Sequence, residues 1–292
     1  MDWDDVRLFL GVARGGGLSG AARALRRDPA TLGRRIARLE SDLGVTLFVK
    51  GPGGYRLTEE GSRLMVHAEE AEAAIRSAED EVRGGLSGAI RIGAPDGCAT
   101  YLLPPVTAAL TAENPDLQIE IVALPRVFDL NRREVDMAIA VSRPSSGRLT
   151  VQRIADYHLS LAAHVDYLAR HPIAGPGDLE RARIIGYVPD MIFDRELDYL
   201  GEVGLTRVDL ASSSVTVQAA WIARGSGLGI VHDFMLGHMT GVRRVLPDEI
   251  RLTRSYWLLR PQGDARAPGL DRFAAELVAG VREEILRAEG SA

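Results

Sequence analysis

The sequence predicts an α+β protein in three parts: an N-terminal helix-turn-helix with a two-stranded wing, one long helix, and a larger C-terminal α/β domain. Three observations carry this. The first sixty residues read helix, turn, helix, strand, Gly/Pro turn, strand; a 4-3 apolar repeat runs through residues 64–82; and from Gly88 strand-like and helix-like runs alternate. The 292 residues leave room for about two domains, and 46% hydrophobic content is enough for real cores. No apolar run approaches the roughly 20 residues that span a bilayer. The acidic start, Met1 to Asp5, is followed by no signal-like apolar stretch, and the single Cys98 excludes an intramolecular disulfide framework or a Cys-rich zinc site. A cytoplasmic protein without membrane contact is the expectation.

Charge separates the two ends. Between Val6 and Thr58 ten Arg and Lys residues stand against three acids, a net of +7, whereas residues 59–292 carry −9. A basic small domain on an acidic larger one suits a polyanion at one end only. In the first helix Val6, Leu8, Phe9, Leu10, Val12 and Ala13 form the apolar face, and Gly15-Gly16-Gly17 stop it. Ser19 is the expected cap of the second helix, whose alanines let helices approach closely. The third helix opens on Asp28 as N-cap with Pro29 at its first position, where a missing N–H is harmless.

In that third helix Leu32, Ile36, Leu39 and Leu43 recur at spacings of 4, 3 and 4 and are expected to face inward. The opposite face presents Ala30, Thr31, Arg34, Arg35 and Arg38, with Pro29 at the helix start. Arginine forks onto guanine edges or clamps phosphates, and Thr or Ala meets a thymine methyl. A solvated arginine face has the same pattern, but the capped start, the preceding helix and the wing select DNA. Lys50 and Arg56, on either side of the Gly51–Gly54 turn, complete the candidate DNA contacts.

The stretch from Asp5 to Leu64 resembles the winged helix-turn-helix of LysR-type transcriptional regulators. The residues that carry the likeness are Val6-Arg7-Leu8-Phe9, Ser19 to Leu25, Arg34 to Glu40, Leu43 to Phe48 and Arg56 to Gly61. Pro29 stands where the family often has Gln, Gly33 where it has Ser, Lys50 where Arg is usual and Gly53 where a second Arg is common. Fold and DNA binding survive these departures; the operator sequence does not transfer.

Thr58-Glu59-Glu60-Gly61 opens the long helix, and Gly84-Gly85 stop it. Leu64, Ala68, Ala71, Ile75, Ala78 and Val82 form a heptad seam with charges on the other faces. Packing on its own domain is one reading. The resemblance implies the other, a linker helix pairing with a second subunit, so that two recognition helices meet two half-sites of a double-stranded DNA operator. The expected domains are thus 1–61, a linker 62–87, and 88–292.

In the larger domain strands are expected at 89–94, 117–122, 136–141, 184–187 and 228–231, helices at 213–224 and 273–286, and two crossings between lobes at 159–163 and 256–260. This split resembles the periplasmic-binding-protein-like effector domain of the same family, with one lobe of 88–161 plus 260–292 and another of 162–259. The resemblance implies a small molecule in the cleft between them. Helix N-termini there offer free N–H groups to anions, so an anionic effector is one expectation. Candidate contacts are Cys98, Thr100, Arg126, Ser142, Arg143, Pro189, Ser213, Thr216 and His232.

Gly225-Ser226-Gly227-Leu228-Gly229 follows a helix and precedes a strand, the reverse of a dinucleotide loop, and reads as a helix stop. The six His residues show no ligand spacing, and no nucleophile elbow or Walker loop occurs. No metal, no cofactor and no catalysis are expected. Partners are a DNA operator, a small effector and further copies of the chain in a homodimer or homotetramer, with RNA polymerase admitted by the resemblance. Two alternatives stay open: a redox- or partner-controlled regulator acting through Cys98, and a binding protein or enzyme that uses the cleft without DNA.

Overall fold

A computed structural model describes residues 1–51, 54–83, 86–123, 135–144, 147–262 and 267–290. The chain forms two compact units, one built on Met1–Gly84 and one on Gly85–Gly263 with Leu270–Ala292.

The first unit contains α1 (Trp3–Arg14), α2 (Leu18–Leu25), α3 (Pro29–Leu43), the hairpin β1 (Phe48–Gly51) and β2 (Gly54–Leu57), and α4 (Glu59–Arg83). Phe9, Leu10, Leu32, Leu39 and Leu47 are almost fully buried in its core. The close approach of α1 and α2 is enforced at Gly20, where a Cβ would lie 2.1 Å from the Gly15 carbonyl oxygen. Asp28 caps α3 by accepting the Thr31 N–H at 2.9 Å, and Gly44 ends the helix with a φ of 68°. Two expectations change. Ser19 is not the cap of α2, because the cap lies two residues earlier, at Gly17, with no side-chain hydrogen bond, and the helix begins at Leu18. Leu43 is 37% exposed, since the last turn of α3 runs past the core. Glu40 ties α3 to the wing by accepting the Leu47 and Phe48 N–H groups at 2.7 and 3.2 Å. Thr58 caps α4, its Oγ1 accepting the Gly61 N–H at 2.9 Å. The expected Gly84-Gly85 stop lies outside the described residues.

The second unit runs β3 (Gly88–Ala94), α5 (Asp96–Tyr101), α6 (Leu103–Glu113), β4 (Leu117–Ala123), β5 (Met137–Ala140), β6 (Leu149–His164), α7 (Val165–Arg170), β7 (Ile184–Gly186), α8 (Tyr199–Glu202), β8 (Leu210–Ala211), α9 (Val215–Ala223), β9 (Leu228–His232), α10 (Asp233–Leu236), β10 (Val242–Arg244), β11 (Arg251–Pro261) and α11 (Ala267–Gly290). Among the described residues these strands form one nine-stranded sheet in the order β4-β3-β5-β11-β6-β9-β7-β8, with β10 also on β6. β3 is parallel to both neighbours, and β6 and β11 run antiparallel to each other from Leu149 opposite Pro261 to Ser160 opposite Arg251. These two long strands are the crossings between lobes. They are longer than the apolar cores at 159–163 and 256–260 suggest, because their outer ends carry alternating polar residues such as Gln152, Asp156, Thr253 and Ser255. α11 likewise starts at Ala267 rather than Phe273. The register slips between Tyr256 and Trp257, leaving Ile154 extra on β6; a bulge of this kind bends a strand and re-aims its side chains.

Candidate DNA interface and effector cleft

The exposed side of α3 is built by its inward 4-3 stripe. With Leu32, Ile36 and Leu39 in the core, Pro29, Ala30, Arg34 and Arg38 are left exposed. The two central arginines differ. Arg34 reaches only along its own helix, its Nη2 donating to Thr31 Oγ1 at 3.3 Å, while Thr31 Oγ1 donates to Asp28 Oδ2 at 3.2 Å. Arg35 instead turns back to α1, where its Nε donates to Oδ1 of the fully buried Asp5. Arg38 Nε is 4.0 Å from the other oxygen of Asp5, which accepts no hydrogen bond. Arg35 therefore clamps α1 to α3, with Arg38 at the edge of the same ion pair, and Arg34 and Arg38 are the exposed guanidinium groups of the helix. In the wing Lys50 pairs with Tyr55 and Arg56 with Val49. Cross-strand partners share a face and successive residues alternate, so the exposed Lys50 and Arg56 leave opposite faces of the hairpin.

The seam residues of α4 divide. Ala68 is buried in the core of the first unit and Leu64 packs against it, whereas Ala71, Ile75 and Ala78 are exposed, Ile75 by 41%. The side chain of Val82 lies outside the described set. The upper half of the repeat thus serves the unit's own core, and the lower half presents apolar surface.

In the second unit the starts of α5 and α9 face each other across the two lobes. Asp96 accepts hydrogen bonds from Ser214 Oγ at 2.5 Å, Thr216 Oγ1 at 3.3 Å and the Thr216 N–H at 3.4 Å. Gly97 allows this approach: a Cβ there would lie 2.8 Å from Val215 Cγ2. Ser214 is the N-cap of α9, accepting the Val217 N–H at 3.3 Å. A second bridge joins Ser142 Oγ to Asp194. The chain's own carboxylates thus hold the hydroxyl donors that a ligand anion would be expected to use.

Beneath these bridges His232, Tyr157 and Tyr256 stack, with centroids 5.3 Å apart for the first pair and 4.2 Å for the second, and Tyr199 meets His232 edge-on at 6.1 Å. Burial pulls the His232 imidazole down to about 4, against the opposing pull of Asp96 and Asp233, so the ring is neutral. Burial also raises the hydroxyls of Tyr157, Tyr187, Tyr199 and Tyr256 above their usual range. His232 Nδ1 accepts no hydrogen bond, and the Tyr157 hydroxyl, though near those of Tyr199 and Tyr256, makes no well-formed one. Cys98 is fully buried, and desolvation pushes its thiol well up, the reverse of the lowering that a helix start gives an accessible thiol.

Of the expected cleft residues, Thr216 and Ser142 join the carboxylate bridges and His232 the aromatic stack. Among the described residues the Ser213 side chain has no hydrogen-bond partner, and its neighbour Ser214 takes the cap. Thr100 is exposed on α5, Arg143 is exposed with its guanidinium 5.9 Å from the Trp257 ring centroid, and Pro189 is exposed. Arg126 lies outside the described residues. Sequence reasoning passed over Asp96, Asp194 and Ser214. The first lies two residues before the candidate Cys98 and the last between the candidates Ser213 and Thr216, but three consecutive serines leave the capping position open by one residue.

A winged helix-turn-helix and a two-lobed α/β unit in one chain are the parts of a DNA-binding regulator that carries its own effector domain. Two family models match in the same order: that of the bacterial regulatory helix-turn-helix protein, lysR family, over residues 3–62, and that of the LysR substrate binding domain over residues 83–282. The chain belongs to the LysR-type transcriptional regulators. It is 27% identical over 287 residues to the Mau operon transcriptional activator of Paracoccus denitrificans, covering 96% of this chain and 97% of that one. It is also 27% identical to the regulator PtxR of Pseudomonas aeruginosa, over 78% of this chain and 75% of that one. Among solved structures, CrgA of Neisseria meningitidis superposes with a TM-score of 0.60 at 21% identity, covering 96% and 99% of the two chains. An OxyR mutant of Corynebacterium glutamicum superposes with a TM-score of 0.70 at 20% identity, covering 99% and 95%. The likeness to these two structures is one of fold.

Proposed function

We propose that this regulator grips a two-half-site operator as a homodimer, using Arg34, Arg38 and the first turn of α3 in the major groove and Lys50 and Arg56 beside it. The observation that supports this most is the exposed, capped arginine face of α3 in a region of net charge +7. A second copy on the exposed lower half of the α4 seam supplies the second reading helix. Selection of bound fragments from genomic DNA, followed by binding in rising salt, tests the reading. Specific fragments and a log-linear fall of affinity with salt are expected; no retained fragment overturns it.

The cleft between the lobes is the effector site in this reading, and it serves binding rather than catalysis. Asp96 already rests on Ser214 and Thr216, so an anionic effector reaches those donors by displacing it. A ligand alters DNA binding only through unequal affinity for two states, and this exchange provides such a difference. Ser214→Ala is expected to blunt the effector response in a reporter assay and to leave basal operator binding nearly intact. Thermal-shift screening with carboxylates finds the effector; a Ser214→Ala response equal to the parent's removes the site from this position.

A further inference from the structure

A cavity of about 240 Å³ lies wholly within the second lobe, apart from the bridged cleft. Its walls are apolar: Ile185, Ile192, Leu197, Leu200, Val208 and Ile230. Tyr187, Tyr199, Gln218, Asp198 and Thr206 also line it, together with Leu205 and with Pro189, which the sequence had suggested for the cleft. A cavity of about 150 Å³ with apolar walls is enough to hold benzene, so this one takes a single ring with a substituent.

Gln218 gives the cavity its chemistry. It is 4% exposed, and its side-chain nitrogen donates to the Ser212 carbonyl at 2.8 Å. That bond fixes the amide orientation, because a carbonyl accepts only from the NH₂ end. The Oε1 then accepts no hydrogen bond among the described residues. Gln218 lines a space large enough to admit a donor, and a ligand that brings one gains a hydrogen bond there. Asp198 and Thr206 are exposed and stand at the rim. A carboxylate at the rim and an acceptor inside both disfavour an anion.

We propose that this cavity is a second ligand site, for a small uncharged molecule with an apolar ring and one hydroxyl or N–H group that donates to Gln218 Oε1. Tyr199 is a wall of the cavity and also meets His232 edge-on, so a guest there touches the aromatic stack beneath the cleft.

The test is calorimetric titration of the full-length protein with phenol, toluene and benzoate. Phenol is expected to bind saturably, and toluene and benzoate each about tenfold more weakly or worse, the equivalent of one lost hydrogen bond. Thr206→Trp, at an exposed rim position that the fold tolerates, and Val208→Phe, inside, are each expected to weaken phenol about tenfold or more. Circular dichroism melts establish that both variants are folded. Absence of saturable phenol binding, phenol binding that survives Thr206→Trp in the folded variant, or benzoate binding as tightly as phenol overturns the proposal.

Discussion

Arg34 and Arg35 are adjacent, identical in type and placed on one helical face, yet the structure gives them opposite work. Arg35 pairs with a carboxylate that has no exposure at all, and Arg34 has no acidic partner among the described residues. Arg35→Ala strands Asp5 in the core and is expected to destabilise the first unit by about 1–3 kcal/mol, read as a lower melting temperature with or without DNA. Arg34→Ala is expected to leave melting unchanged and to weaken operator binding by about 1–3 kcal/mol if it forks onto a base. Equal losses on operator and scrambled DNA reduce it to a phosphate contact. This division was not legible in the sequence. The arginine face follows from local periodicity, but the partner that removes Arg35 from it is 30 positions away on α1, and Asp5 looked like part of an acidic helix start. The same limit explains Ser213 and Ser214: which of three serines caps α9 depends on where tertiary packing sets the first turn.

The elements themselves were largely readable. Caps, turns and the 4-3 repeats gave α3 and α4 nearly to the residue, because these signals act within one or two turns of chain. β6 and β11 were read only in part: the continuous apolar runs at 159–163 and 256–260 marked their buried ends, while the half-exposed ends, where polar residues interrupt the apolar ones, carry a weaker signal over few residues. α4 carries a prediction at this scale. Its seam is half used by the unit's own core, so Ile75→Glu touches only the exposed half. The charge is expected to dissociate the dimer, as sedimentation would show, and to abolish operator binding while both units stay folded. A dimer that persists with Glu at this position would restrict the seam to packing within the chain.

At the scale of the molecule, the buried stack makes stability depend on pH. His232 takes up a proton near pH 6.5 when unfolded but near 4 when folded. Below 6.5 the unfolded state holds more protons, so acid lowers stability until about pH 4, where the loss levels at roughly 3 kcal/mol. Urea midpoints between pH 7 and 4 are expected to fall less steeply in His232→Phe than in the parent; parallel curves would refute the assignment. The larger architecture has one more consequence. Ser160 and Arg251 sit opposite each other on β6 and β11, so the chain leaves for most of the second lobe and comes back at facing positions. Topologically that lobe is a guest spliced into a host through a two-stranded stem. Exchanging the whole insert between such regulators alters ligand chemistry while the host's strand order is kept, a modular route by which one DNA-reading platform acquires a different chemical sense.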